Sequence, residues 1–327
     1  MRKPFIFALL LLLFTHIAYA QSPTITLNVQ AGFNGYFRDS QWTPVIIQAA
    51  NSGDDASGRL VVRPETSGAG LLNTYSTPIT LARGAQQTAF LYITARSFTT
   101  SIRVEMIDND GNVIAQQDAD LHSIQDQDEL SVVVSDSPIG SVDLTGVHAA
   151  NDNGYQADWK IADLPTQGLD SVNLMLISDI DSSTLSSAQK QAISDWIAAG
   201  GHLIVTGGQN GQGTAAGVGN LLPITPSGSK AVDGLQSLGN WLHDSGDLSA
   251  QTVIATGTVN SGGQVIAAAA DGTPLLVRRT LGAGVVDYLA ADPNNAPLRG
   301  WNGLPDLWFT LATNNNPQPG WGGGFVN

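Results

Sequence analysis

The chain contains no cysteine in 327 residues. That absence excludes a disulfide framework, a thiol nucleophile and a lipid-modified cysteine anchor. Basic side chains are scarce: 14 Lys and Arg stand against 28 Asp and Glu, for a formal charge of −14. A chain of this sign is repelled by nucleic acid and by anionic lipid, so neither is an expected partner. Beyond the first twenty residues no apolar run reaches the ~20 residues that a spanning helix needs. Membrane association is therefore expected only through an anchor lying beyond Asn327. Charged residues make up 13% of the chain, while 36 glycines and 42% apolar residues describe a folded, turn-rich protein.

The first segment with a strong pattern is the N-terminus. Arg2 and Lys3 precede an apolar core from Phe5 to Phe14, and Ala18-Tyr19-Ala20 closes the run. This is the layout of a secretory signal peptide, and its core is too short to span a bilayer, so cleavage after Ala20 is expected. The expected location is outside the cytoplasm: periplasmic, extracellular or on the outer side of the cytoplasmic membrane.

The mature length allows roughly two domains of ~150 residues. From Pro23 to about Asp126, short alternating strands follow one another between turns such as Asn51-Ser52-Gly53-Asp54 and Asp108-Asn109-Asp110-Gly111. That spacing predicts an antiparallel, immunoglobulin-like sandwich over residues 21–126. The Asp108–Asn112 run looks like the start of a calcium loop, but Val113 and Ala119 stand where an EF-hand needs glycine and glutamate, so a hairpin turn is expected. Phe33, Tyr36, Phe37 and Trp42 cluster in one loop, where they either plug the end of the sandwich or offer a platform for sugar rings. Limited proteolysis should cut the polar, acidic stretch from Gln125 to Glu129 if it is an exposed linker, and protection throughout would mean that the two domains pack as one unit.

A second pattern covers residues 127–312. Leu174–Ile177 and Leu203–Val205 are short apolar runs suited to buried parallel strands. Between them, Ser186 or Ser187 caps a helix whose Ala188, Ala192, Ile193, Trp196, Ile197 and Ala199 fall on one face. Gly200 is expected to end that helix in a left-handed conformation. Such a crossover gathers the loops after Ile177 and Thr206 at the carboxyl edge of the sheet, where α/β proteins place ligands. Residues 313–327 have the composition of a Pro/Gly-rich linker.

No catalytic signature survives at that edge. No serine has glycine at both −2 and +2, and neither a phosphate loop nor HExxH occurs. The five histidines lie far apart, and Gly211-Gln-Gly213-Thr-Ala-Ala216 matches a relaxed dinucleotide fingerprint without the direct strand-to-helix turn it requires. No catalytic residue, metal site or cofactor is therefore expected. The binding candidates are Asp179 and Asp181 after the first strand, Gly207 and Gly208 after the second, Asp292 after Val285–Ala290, and Trp42 in the aromatic loop.

The run Ser178-Asp179, Leu185-Ser186, Gln189, Ile193, Trp196-Ile197, Gly200-Gly201-His202-Leu203-Ile204-Val205 and Gly207-Gly208 resembles the helix, Gly-Gly, strand hallmark of class I glutamine amidotransferase-like domains. With Gly282-Ala283-Gly284 and Asp292-Pro293, it is similar to exported bacterial proteins in which a β-sandwich precedes such a domain. The resemblance implies an α/β flavodoxin-like fold for residues 127–312. Members that transfer amide nitrogen use a cysteine, a histidine and a glutamate. With no cysteine, this chain is expected to be a non-catalytic relative that binds or scaffolds at the cell envelope, its partners being other envelope proteins or a glycan. The second expectation is a carbohydrate-active or carbohydrate-binding protein using the carboxylates at the sheet edge.

Overall fold

The structure, a computed structural model, describes residues 25–64, 73–135 and 142–313. Residues 1–24, with the expected signal peptide, and the expected linker-like tail beyond Thr313 lie outside the described residues.

Among the described residues the first half holds nine strands: β1 (Ile25–Ala31), β2 (Tyr36–Arg38), β3 (Trp42–Asn51), β4 (Ala56–Pro64), β5 (Tyr75–Leu81), β6 (Gln86–Thr94), β7 (Ser101–Asp108), β8 (Val113–Asp120) and β9 (His122–Ile124). One antiparallel sheet has the order β1-β3-β6, and a second has the order β5-β4-β7-β8. Period-two alternation on β3 sends Val45, Ile47 and Ala49 to one face, where they meet Leu60 and Val62 of β4 and Val104 and Met106 of β7 in a closed core. The β7–β8 turn forms as a hairpin: Asp108 accepts from the Asp110 and Asn112 backbone amides at 3.0 and 2.7 Å, and Gly111 takes φ 90°.

The second half contributes β10 (Glu129–Val134), β11 (Gly154–Trp159), β12 (Leu174–Ile177), β13 (His202–Thr206), β14 (Ile224–Val232), β15 (Thr252–Val259), β16 (Gln264–Ala268), β17 (Pro274–Leu281) and β18 (Gly284–Leu289). Its helices are α1 (Ser187–Ala198), α2 (Gly211–Ala215), α3 (Gln236–Leu242) and α4 (Leu304–Thr313). A seven-stranded sheet runs β11-β10-β12-β13-β18-β17-β16. Neighbours from β11 to β18 are parallel, and the β18–β17 and β17–β16 pairs are antiparallel. β14 and β15 form a separate antiparallel pair.

This arrangement corrects the expected combination of an immunoglobulin-like sandwich with an α/β flavodoxin-like domain. The chain is mostly β with several sheets, and α1 is the one full-length helix that joins adjacent parallel strands among the described residues. The physical reason lies in the connections. Between β11 and β12, Pro165 and Gly168 (φ 81°) allow only 3-10 turns at Ile161–Asp163 and Leu169–Ser171. Between β13 and β18, the glycine-rich stretch supports only the five-residue α2 before the chain returns to β14.

Where the sequence does favour helix, the local chemistry is complete. Ser186 accepts from Gln189 N at 3.2 Å and the Gln189 side chain accepts from Ser186 N at 2.9 Å, a capping box worth about 1 kcal/mol. Ile193, Trp196 and Ile197 form the buried face of α1. The Gly-Gly stop forms with Gly200 at positive φ, as expected, and the tighter steric demand falls on Gly201. Gly200 has φ 126°, and a β-carbon there would meet nothing within 4 Å; at Gly201 it would stand 2.2 Å from the Trp196 ring.

The two halves are tied together around the Gln125–Glu129 stretch, of which Gln125, Asp126 and Gln127 are exposed. Asp128 is buried, and its carboxylate accepts from Gln125 N at 2.9 Å and from Asn153 N and Nδ2 at 3.0 Å. Arg38, also buried, donates to the carbonyls of Gln125, Asp128 and Ser171 and to Asn173 Oδ1. Around it the aromatic loop closes the junction: Phe33 packs on Trp159 with centroids 5.0 Å apart, and Tyr36 packs on Tyr155 at 4.7 Å. Ile46, on the opposite face of β3 from Val45 and Ile47, joins the core of the second half.

Candidate functional site

The carboxyl edge forms because β12, β13 and β18 end together: Ile177 pairs with Val205, and Val205 with Tyr288. Ser178 and Thr206, both fully buried, close these strand ends through a Thr206 Oγ1 to Ser178 Oγ hydrogen bond of 2.7 Å. The chain then turns sharply. Asp179 takes φ 47°, a left-handed conformation that Asp tolerates better than most residues.

Of the expected candidates, the fold brings four together and separates two. Asp179 is exposed and accepts from Asn210 Nδ2 at 2.7 Å, which ties the loop after β12 to the loop after β13. Gly207 donates to Leu289 O and Gly208 to Ala290 O, each at 2.7 Å. A β-carbon at Gly208, where φ is 81°, would lie 2.9 Å from Asp292 Cβ, so glycine is what lets this loop lie on the segment after β18. Asp292 is buried and accepts from Asn294 N at 2.9 Å and Asn295 Nδ2 at 2.6 Å. Burial pushes the Asp292 carboxyl above its ordinary range; the Asn294 amide opposes the rise, and the Asp179 charge adds to it.

Asp181 turns away from this group. It caps the 3-10 turn Ser182–Thr184 by accepting from Ser183 N at 2.9 Å, and its bonds to Ser183 hold its carboxyl below the usual range. Trp42 lies at the junction of the two halves instead. It is 45% exposed, meets Tyr75 edge-on with centroids 6.3 Å apart, and lines a groove of about 430 Å³ together with Gly168, Asp170 and Asp195.

Sequence reasoning missed three features. Asn210 is one; a loop asparagine carries no pattern that would announce its pairing with Asp179. Ser182 is another: it donates to Thr214 O at 2.8 Å and accepts from Gly217 N at 2.7 Å, fixing α2 over the edge. The third is a buried ionic group far from the edge. Asp287, wholly buried, accepts from Arg278 Nε at 2.7 Å and Nη2 at 2.6 Å and pairs with His202 Nε2 at 2.9 Å. Burial alone would raise the Asp287 carboxyl, but these partners hold it below its ordinary value. Alternation along β17 and β18 places Arg278 opposite Asp287 and was the available signal.

No group of three or more His, Asp or Glu suited to a metal ion occurs among the described residues. No helix there is long and apolar enough to cross a membrane.

Two family models match the chain, and both are domains of unknown function: DUF8726 over residues 24–122 and DUF7408 over residues 154–305. No curated protein matches. Among solved structures, the exo-beta-1,4-mannosidase Op5Man5 from Opitutaceae bacterium strain TAV5 is 10% identical, covering 57% of this chain and 35% of its own, with a TM-score of 0.34. The sporulation control protein Spo0M from Bacillus subtilis is 5% identical over 31% of this chain and 49% of its own, with a TM-score of 0.22. The bacterial hydrophobin BslA is 15% identical over 31% of this chain and 96% of its own, also at 0.22. The chain thus spans about a third of the mannosidase and about half of Spo0M, and it is similar over most of its folded length to two families whose roles are open.

Proposed function

We propose that the chain is an exported, non-catalytic binding or scaffold protein of the bacterial cell envelope. The observation that carries this reading is the use made of the edge carboxylates. Asp179 holds Asn210, Asp181 caps the Ser182 turn, and Asp292 holds Asn294 and Asn295. Each is engaged in bracing a loop. The basic start, short apolar core and Ala18-Tyr19-Ala20 ending of the N-terminus support export.

The test has two arms. Expressed with its leader in a bacterial host, the chain should appear in the envelope or medium with a mass matching cleavage after Ala20. An unprocessed cytoplasmic chain would overturn export. Purified protein offered chromogenic glycoside, ester and amide substrates should give no turnover above buffer; turnover abolished by Asp179→Asn would make the protein an enzyme.

A second reading, carbohydrate binding, is favoured by one specific observation: the exposed Trp42 in a groove with carboxylates.

A further inference from the structure

We propose that the junction groove beside Trp42 is a binding site for a neutral glycan, with a pyranose ring packed against the Trp42 side chain and its hydroxyls donating to Asp170 and Asp195. This rests on the carbohydrate-binding reading and supplies its site and ligand class.

The groove is built from both halves of the molecule. Trp42 opens β3, and the facing wall is the turn Thr166–Asp170 with the Ala192, Asp195 and Ala199 side of α1. The walls approach closely because Gly168 takes φ 81°: a β-carbon there would stand 2.6 Å from Trp42 O. Tyr92 fixes the same turn from the first half, accepting from Thr166 N at 2.9 Å and sharing a hydrogen bond with Thr166 Oγ1 at 3.0 Å. At about 430 Å³ the groove lies within the size range of small-molecule sites.

Its chemistry selects the ligand. Among the described residues Trp42 is one of six exposed large hydrophobic side chains, and it is the one of these that lines this groove. An accessible indole offers a flat apolar surface to the C–H face of a sugar. Asp195 is exposed and accepts from Gln191 Nε2 at 2.8 Å through one oxygen, and Asp170 and Gln167 make no side-chain hydrogen bond among the described residues. These are acceptors and an amide on the lining of the same groove as Trp42. No Lys or Arg lines the groove, so two uncompensated carboxylates repel phosphorylated and uronic sugars. The same carboxylates beside an indole would also attract a cation, which makes a basic peptide the competing occupant.

The experiment is calorimetric titration of the full chain with cellohexaose, mannohexaose, chitohexaose, a hexauronate and hexalysine. At least one neutral hexasaccharide should bind, the hexauronate should not, and Trp42→Ala should weaken binding at least tenfold while Trp42→Tyr stays within about threefold. Asp195→Asn should weaken binding severalfold, and Phe98→Ala, an exposed aromatic outside the groove, should change nothing. A melting curve confirms that each variant is folded. Failure of every neutral glycan to bind, or binding unchanged in Trp42→Ala, overturns the proposal. Hexalysine binding lost in Trp42→Ala, without glycan binding, assigns the groove to a basic segment instead. Either result leaves the non-catalytic scaffold reading standing, since that reading fails only by turnover or by lack of export.

Discussion

Asp292 illustrates how one side chain can be read two ways. A buried carboxyl with a raised pKa at a sheet edge is what a catalytic acid looks like. Here burial acts first, and the neighbouring Asp179 charge adds to it, while the Asn294 and Asn295 donors hold the ionised group in place. A carboxyl whose folded pKa lies above its unfolded value costs stability once pH exceeds both, and that cost fades as pH falls through the folded value. Asp292→Asn removes the charge and keeps an acceptor for the Asn294 amide, with Asn295 turning its own amide to match. Thermal melts should therefore show the variant above the parent at pH 7, with the gap closing as the pH is lowered past the carboxylate range. A variant less stable at pH 7 would mean that the negative charge itself is needed, as a bound cation would require.

At the scale of elements, the unit β12-α1-β13 was the most legible part of the sequence, and the reasons are local. Its strands are continuous apolar runs, its helix repeats apolar residues at i, i+3 and i+4, and Ser186 with Gln189 marks its start. Its stop was legible at Gly200, which takes positive φ, while the tighter steric demand, a β-carbon against the Trp196 ring, falls on Gly201. Gly201→Ala should accordingly lower the melting point by more than Gly200→Ala, because the Trp196 ring is buried and held by its Nε1 bond to Val172 O, 2.8 Å long. Core overpacking of this kind costs about 1–3 kcal/mol. At Gly200 the cost is only that of a β-carbon at positive φ, about 1 kcal/mol. Equal shifts would contradict the assigned geometry. Other elements left no such trace. β14 reads Ile-Thr-Pro-Ser-Gly-Ser-Lys-Ala-Val, a strand written in turn residues, and it forms because β15 pairs with it along its length. Arg38 is a lone basic residue in a loop sequence, and only the fold reveals the three carbonyls and one amide it answers. At the site, Asp179, Gly208 and Asp292 were legible from their places at strand ends, but their partner Asn210 was not. Trp42 was legible as part of an aromatic loop, but its place at the junction was not, because sequence alone does not show how the two halves meet.

For the whole molecule, the central claim is that two β-rich halves are fused into one platform and that its reactive-looking carboxylates are part of the bracing. The fusion rests on buried contacts: Arg38 on Gln125, Asp128, Ser171 and Asn173, Phe33 on Trp159, and Ile46 in the core of the second half. Removing a buried charge donor from such a network leaves its carbonyl partners unsatisfied, at about 1–3 kcal/mol for each group that water cannot reach. The most direct test is scanning calorimetry of the full chain beside Arg38→Met. The parent should unfold in a single transition whose calorimetric and van't Hoff enthalpies agree. Arg38→Met should resolve into two transitions, with cleavage at the exposed Gln125–Gln127 stretch faster than in the parent. Two transitions in the parent, or an Arg38→Met variant that melts as one unit at the parent's temperature, would contradict the fused platform.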